Sequence, residues 1–134
     1  MVKITPQPLS PEFVVNQVKT SGSGCVVTYV GLIRDSSRGK SVASVEYSDP
    51  DGTATAKLQQ IVTEANSKWR LNEMAFYHRT GKLKVGDINL IVAVAAAHRQ
   101  DGFAACQYAI DQFKAKLPTR KKERYLDGSC FEGD

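Results

Sequence analysis

The stretch of sequence that decides the fold is INLIVAVAAAHRQDGFAACQYAIDQFKAKLPTRKKE, residues 88–123. Its first part, Ile88 to Ala97, is almost wholly apolar, as a strand covered on both faces is. Apolar side chains then recur every three or four residues, which predicts a helix that packs on a sheet. The residues of this repeat are Phe103, Cys106, Ile110, Phe113 and Leu117. Pro118 ends the helix, and a basic segment, Arg120 to Glu123, is expected to return to the strand's end.

Two further helices are predicted before this stretch. Ser10 is a helix N-cap and Pro11 suits the first helical position; the apolar face of this short helix consists of Phe13, Val14 and Val18. Thr53 to Trp69 carries apolar residues at spacings of three and four, which predicts a long amphipathic helix. The residues of that stripe are Ala54, Leu58, Ile61, Val62, Ala65 and Trp69.

Three more strands are predicted, Cys25 to Val30, Val42 to Tyr47 and Met74 to His78, because they are rich in β-branched and aromatic residues. In the second of these, strict alternation places Ala43, Val45 and Tyr47 on the buried face. Residues 35–40 are polar and predict a mobile loop. The order α-β-β-α-β-β-α with a tail indicates an α+β or α/β two-layer fold, and 134 residues suggest one domain, residues 1–134.

The composition bounds the function only loosely. The chain is 42% hydrophobic, as globular proteins are, and its net charge of +4 is compatible with nucleic acid, a phosphorylated small molecule or an acidic protein. No apolar run reaches the ~20 residues that span a bilayer, and residues 1–10 lack the apolar core of a signal peptide. Three cysteines without C-x-x-C spacing fit a reducing cytosol. We therefore expect a cytoplasmic protein without a membrane partner.

Cations occupy the ends of the predicted elements. His98 and Arg99 follow the apolar strand, where the amides of the next helix favour an anion. Lys114 flanks the buried helix stripe, so its amine can reach the rim of a pocket as a nucleophile or a general base. Arg34 follows the turn at Gly31. Each of these residues also fits a solvated position, and spacing alone leaves both interpretations open.

Other patterns are weaker or absent. Lys121 and Lys122 fit a solvated charge run or a weak nucleic-acid patch as well as a site. Tyr77 and His78 occupy opposite faces of their strand, and we expect a structural role there. Two histidines and three dispersed cysteines supply too few ligands for a metal site. There is no P-loop, no G-x-G-x-x-G and no G-x-S-x-G, which disfavours ATP, NAD and serine-hydrolase chemistry.

Six motifs together are highly specific. They are VTYVGLIRD (27–35), VEYSD (45–49), HRTGKLKVGD (78–87), AAHR (96–99), FAACQYAIDQFK (103–114) and PTRKKE (118–123). In this order and spacing, over residues 6–131, the chain resembles the large, catalytic subunit of molybdopterin synthase. The resemblance implies an α+β fold of the α/β-hammerhead type with an additional antiparallel β subdomain. It also implies a sulfurtransferase of molybdenum cofactor biosynthesis.

The resemblance further implies the partners and the substrate. A homodimer of this subunit would bind a small ubiquitin-like sulfur-carrier subunit at each end, which makes a heterotetramer. The carrier's C-terminal Gly-Gly thiocarboxylate would enter a pocket and transfer sulfur, in two steps, to cyclic pyranopterin monophosphate. The product is the dithiolene of molybdopterin. No cofactor, metal or nucleic acid is implied.

Positions that match the family's motifs are implied to bind the substrate. They are Leu32, Ile33, Arg34, His98, Arg99, Lys114, Lys121, Lys122 and Glu123. Lys114 and Lys121 are implied to be catalytic, and the His98-Arg99 pair is implied to come from the second subunit of the dimer. The family commonly has an aromatic residue just before the lysine at 121, where this chain has Arg120. The alternative function is a diverged, non-catalytic homologue that binds the carrier protein or RNA.

Overall fold

The computed structural model describes residues 1–133, so Asp134 of the predicted domain lies outside the described residues. Helices and strands alternate along residues 1–133 in the order β-α-β-β-β-α-β-β-β-α-β-β. The strands are β1 Val2–Thr5, β2 Cys25–Leu32, β3 Ser36–Ser37, β4 Lys40–Ser48, β5 Glu73–Arg79, β6 Gly81–Lys84, β7 Ile88–Ala96, β8 Arg120–Tyr125 and β9 Cys130–Glu132. The helices are α1 Pro11–Val18, α2 Ala54–Lys68 and α3 Arg99–Ala115.

The first sheet has the strand order β1-β5-β7-β2. β1 is parallel to β5, and the other neighbours are antiparallel. The even-numbered residues of β7 from Leu90 to Val94 pack with α2 and α3, whereas its odd-numbered residues from Ile91 to Ala95 pack with α1. Successive side chains of a strand point to opposite faces. The prediction of a strand covered on both faces is therefore confirmed.

The second sheet is antiparallel and joins β3, β4, β8 and β9 in that order, with β6 also paired to β4. It has a separate apolar core of Ile33, Val42, Val45, Tyr47, Leu83 and Tyr125. This sheet is the additional antiparallel β subdomain, and the predicted α+β fold class is confirmed.

The buried face of α3 differs from the predicted one. Phe103 is 61% exposed, so its assignment to the packing stripe was wrong. The residues that α3 buries are mostly small: Gly102, Ala105, Cys106, Ala109 and Phe113. A Cβ on Gly102 would lie 3.0 Å from Cγ2 of Val27, which shows how closely the helix approaches β2. Small residues allow this approach, and Phe103 is left on the solvent side.

Similar corrections apply elsewhere. In α1, Val14 and Val18 are buried but Phe13 is exposed. In β4, Ala43 is exposed and Ser44 is buried, which contradicts the strict alternation. The register pairs Val42 with Tyr125 and Ser44 with Arg124, so Ala43 is the extra residue of a β-bulge. Beyond the bulge, the alternation of side chains between the two faces of the strand is shifted by one residue.

Several strands were missed. β1 and β9 are short, and β8 is mostly charged, so their own sequences carry little strand signal. β8 forms because it lies between β4 and β9. Residues 35–40, predicted as a loop, contain a tight hairpin in which Ser37 pairs with Lys40. Arg38 and Gly39 both have positive φ, 56° and 74°, as a two-residue type I′ turn requires.

Two findings bear on the compositional expectations. No helix within residues 1–133 is long and apolar enough to cross a membrane. Cys25, Cys106 and Cys130 are free thiols. Burial raises the pKa of the Cys106 thiol to about 11, so this cysteine is a packing residue rather than a reactive one.

Candidate active site

A cavity of about 470 Å³ lies between the two sheets. The end of β2, the β3 hairpin, β4, the start of β7, the end of α3 and β8 all contribute to its wall. Its lining residues are Tyr29, Leu32, Ile33, Arg34, Ser36, Ser37, Val45, Tyr47, Asn89, Leu90, Phe113, Lys114, Leu117, Lys121 and Glu123. Six of the nine predicted site residues are therefore brought together in one chain.

The strand–helix unit of β7 and α3 explains how Lys114 reaches this cavity. Gly102, near the start of α3, packs beside Ala96 at the end of β7. Phe113, in the last turn, lines the cavity together with Leu90 at the start of β7. The helix therefore runs antiparallel to the strand and carries Lys114 back to the strand's beginning.

Arg34, Lys114 and Lys121 are the cations of the cavity wall. Arg34 and Lys114 are exposed, and Lys121 is half-buried. None of the three has a carboxylate within ion-pair distance in the part of the chain that the structure describes. Three uncompensated cations around one cavity favour an anionic ligand, because each can make charge-assisted hydrogen bonds to it.

Glu123 is the carboxylate of the wall, and it is 5% exposed. Its Oε1 accepts hydrogen bonds from Ser37 Oγ at 3.0 Å and from the Tyr125 hydroxyl at 2.9 Å. Arg38 Nε lies 3.8 Å from the same oxygen. Glu123 therefore ties the β3 hairpin to β8 and closes one side of the cavity.

Leu32 and Ile33 turn the end of β2 towards the cavity. The register with β7 shifts between Gly31 and Leu32 and leaves Asn89 of β7 as the extra residue of a β-bulge, and a bulge increases the local twist of the strand pair. Leu32 is exposed at the cavity rim, whereas Ile33 is buried in the core of the second sheet. The pair thus positions Arg34, the next residue, at the rim.

Tyr47 and Asn89 are lining residues that the sequence analysis did not select. Asn89 Nδ2 donates a hydrogen bond to the Tyr47 hydroxyl at 3.0 Å, and burial raises the pKa of the Tyr47 phenol. Asn89 Oδ1 is buried without a hydrogen-bond partner among the described residues. A Cβ on Gly31 would lie 2.6 Å from this oxygen, so a glycine is required there. The one feature of the sequence that could have identified this part of the site is Asn89, a single amide side chain in an otherwise apolar strand.

Lys122 does not join the cavity. It lies between Lys121 and Glu123, and successive side chains of a strand point to opposite faces. Its register partners are Glu46 on β4 and Glu132 on β9. Arg120, at the family's usual aromatic position, is likewise exposed and absent from the cavity wall.

His98 and Arg99 lie at the opposite end of the β7–α3 unit. Both are exposed, and they follow Ala96, the last residue of β7, which is about 20 Å along the strand from Leu90, at roughly 3.3 Å per residue. The expectation that the basic segment returns to the strand's end is wrong, because the helix brings the chain back to the strand's start. Within one chain, the His98-Arg99 pair does not contribute to the cavity.

The arrangement suits the binding of an anion beside a group that exchanges protons. Two lysine amines and a guanidinium surround the space, and the hydroxyls of Ser36 and Tyr47 add neutral donors. Residues 1–133 contain no group of three or more histidine, cysteine, aspartate or glutamate side chains that could hold a metal ion.

Comparison with known proteins yields consistent findings. The family model described as MoaE protein matches residues 4–116, which includes Lys114 and ends before β8. The molybdopterin synthase catalytic subunit of Nostoc sp. is 40% identical over 127 residues, 94% of this chain and 77% of that protein. The corresponding protein of Bacillus subtilis is 33% identical over 98% of this chain and 84% of that protein. The X-ray crystal structure of molybdopterin synthase from Staphylococcus aureus superimposes with a TM-score of 0.90, at 31% identity, covering 98% of this chain and 95% of that one.

Proposed function

The chain belongs to the MoaE protein family, and from this premise we propose that it is the catalytic subunit of a molybdopterin synthase. In this role it is an enzyme of molybdenum cofactor biosynthesis. It transfers sulfur from the C-terminal thiocarboxylate of a small carrier subunit to cyclic pyranopterin monophosphate. The observation that carries the proposal is the group of three cations, Arg34, Lys114 and Lys121, around one cavity.

The charge of the cavity fits the substrate. A cyclic phosphate carries negative charge that Arg34 can hold at the rim through a guanidinium fork. Opening of the phosphate ring increases that charge, and cations preorganised around the ring lower the barrier to the reaction. The hydroxyl of Ser36 offers a further hydrogen bond from the β3 hairpin.

Lys114 and Lys121 are proposed as the catalytic residues. They approach the cavity from two elements, the last turn of α3 and the start of β8. Attack of the thiocarboxylate sulfur on the pterin side chain requires proton transfers, which a positioned amine can perform. An ammonium group in the same place stabilises the developing phosphate charge.

The proposal includes a second copy of the chain and a carrier. The relatives are named catalytic subunits, which is consistent with a multi-subunit enzyme. In a homodimer, His98 and Arg99 of one copy would reach the cavity of the other, and the Gly-Gly tail would enter beside Leu32, which is exposed at the cavity rim. Residues of both sheets line the cavity, so the chain acts as one domain. A cytoplasmic location fits its three free thiols.

A reconstituted assay tests the proposal. The full chain is mixed with thiocarboxylated carrier and cyclic pyranopterin monophosphate, and dithiolene formation is followed by mass spectrometry. We expect two sulfur atoms per pterin and one spent carrier per sulfur. Binding of carrier without any product would instead favour the diverged binder. Salt-dependent binding to generic RNA without turnover would favour the nucleic-acid alternative.

A further inference from the structure

His78 lies directly behind the cavity and does not line it. It is fully buried, at 0% exposure, near the end of β5. Its ring makes edge contacts with two cavity residues, Tyr47 at 4.9 Å and Phe113 at 5.1 Å between centroids. One side chain thus contacts β4 and α3 at the level of the cavity.

Both ring nitrogens of His78 are hydrogen-bonded. Nδ1 is 2.8 Å from the carbonyl oxygen of Asn89, a third cavity residue. Nε2 is 2.9 Å from the hydroxyl of Thr119, which is 7% exposed. Thr119 belongs to the short connection between the end of α3 and β8, two residues before Lys121.

These partners determine the protonation state of the ring. A carbonyl oxygen only accepts hydrogen bonds, so Nδ1 donates to Asn89. Burial lowers the pKa of His78, so the ring is neutral and Nε2 accepts the hydroxyl proton of Thr119. A valine or alanine at position 119 would leave this nitrogen unpaired in the core.

The connection from Lys116 to Thr119 lies outside both helix and sheet, so the strand ladder does not hold it. Within the described residues, the connection makes one side-chain hydrogen bond, from the hydroxyl of Thr119 to Nε2 of His78. The connection determines how the last turn of α3, which carries Lys114, is placed relative to β8, which carries Lys121.

We propose that His78 and Thr119 are positioning residues that set the placement of Lys114 and Lys121 across the cavity. His78 packs against Phe113, the neighbour of Lys114, and holds Thr119, two residues before Lys121. The inference rests on the proposed sulfur transfer, because it assigns a catalytic consequence to this spacing. Neither residue touches substrate; they act through the two lysines.

Three full-length variants test the inference in the reconstituted assay. Thr119→Val removes the hydroxyl at nearly constant volume, and Thr119→Ser keeps it. Thr28→Val makes the same change at a half-buried position of β2 that does not line the cavity. We expect Thr119→Val to lower kcat about tenfold with little change in KM, because misplaced catalytic groups slow the chemical step. Thr119→Ser and Thr28→Val should retain wild-type kcat.

Amide hydrogen exchange of the free proteins gives a readout that does not depend on turnover. Thr119→Val should speed exchange over residues 117–122, whereas Thr28→Val should not. All variants are measured well below the lowest unfolding temperature. Unchanged kcat in Thr119→Val, an equal loss in Thr119→Ser, or unchanged exchange would each overturn the inference. A wild-type chain that yields no product refutes the proposed function instead, and exchange then still decides whether Thr119 holds the connection.

Discussion

The two ends of the β7–α3 unit carry similar charges in opposite surroundings. At one end, Lys114 follows the buried Phe113 and faces the cavity between the two sheets. At the other end, His98 and Arg99 are exposed and Phe103 is 61% exposed. The second sheet lies across the cavity from the first end, whereas His98, Arg99 and Phe103 face solvent at the second. Whether a cation belongs to a binding site therefore depends on which other parts of the fold lie around it.

The largest expected effect concerns the two phenylalanines of α3. Phe113→Ala should lower the free energy of unfolding by about 3–5 kcal/mol, because it leaves a hole between Phe76 and His78. Phe103→Ala should change it by no more than about 0.5 kcal/mol, since the ring is mostly in water. Urea denaturation measures both. Equal losses would show that the two ends are not differently packed.

The next effect concerns catalysis at the covered end. Lys114→Ala should reduce product formation at least about a hundredfold, because the cavity loses a group proposed for proton transfer and charge stabilisation. Its unfolding midpoint should stay unchanged, as the side chain is exposed. Lys116→Ala is the matched control, an exposed lysine just after α3 that does not line this cavity. A near-normal yield of product from Lys114→Ala would contradict the assignment of Lys114 as a catalytic residue.

A smaller effect is expected at the uncovered end. Arg99→Ala should weaken pterin binding about tenfold through loss of a charge-assisted contact to the phosphate. Binding of the carrier should be unaffected. Calorimetric titration with each ligand separates the two, and an equal loss of both would contradict the phosphate role.

Mixing the two variants tests whether the uncovered end serves another copy. A mixed dimer of Lys114→Ala and Arg99→Ala chains contains one cavity with every native residue if Arg99 acts across the dimer. When the two variant chains are mixed in equal amounts and pair at random, about a quarter of all cavities should then contain both Lys114 and the Arg99 of the partner copy. No recovery after reassembly would place Arg99 outside the partner's cavity.

The smallest effect is a pH dependence of stability. Burial lowers the pKa of His78 in the folded protein, so the unfolded chain binds more protons below pH 6.5. The contribution of neutral His78 to the free energy of unfolding should be fully present above about pH 6.5. It should decrease as the pH falls, by at most about 1.4 kcal/mol per pH unit. Urea titrations at several pH values should show a flatter profile for His78→Gln.

Much of the fold was predictable because its signals are local. The β7 run, the α2 stripe and the Ser10-Pro11 helix start each depend on residues close in sequence, and all three were found. The errors arose where distant residues decide. Ala43 is displaced by a bulge against β8, and Phe103 faces water because the small residues of α3 fit closely against β2.

The candidate site was likewise predictable only in part. The resemblance selected Arg34, Lys114 and Lys121 by position, and the fold brings them to one cavity. The resemblance also selected Lys122, which the alternation of β8 turns away. It did not select Tyr47 or Asn89, whose importance depends on a contact between strands of different sheets.

The sequence by itself determined the family, the fold class and the residues that carry charge, because these follow from motifs, periodicity and composition. Only the tertiary structure decided which charges meet. An antiparallel helix returns Lys114 to the start of β7 and leaves His98 and Arg99 at its far end, a difference that no spacing along the chain reveals. The physical reason is that a binding site depends on distances through space, which burial of the three apolar clusters determines.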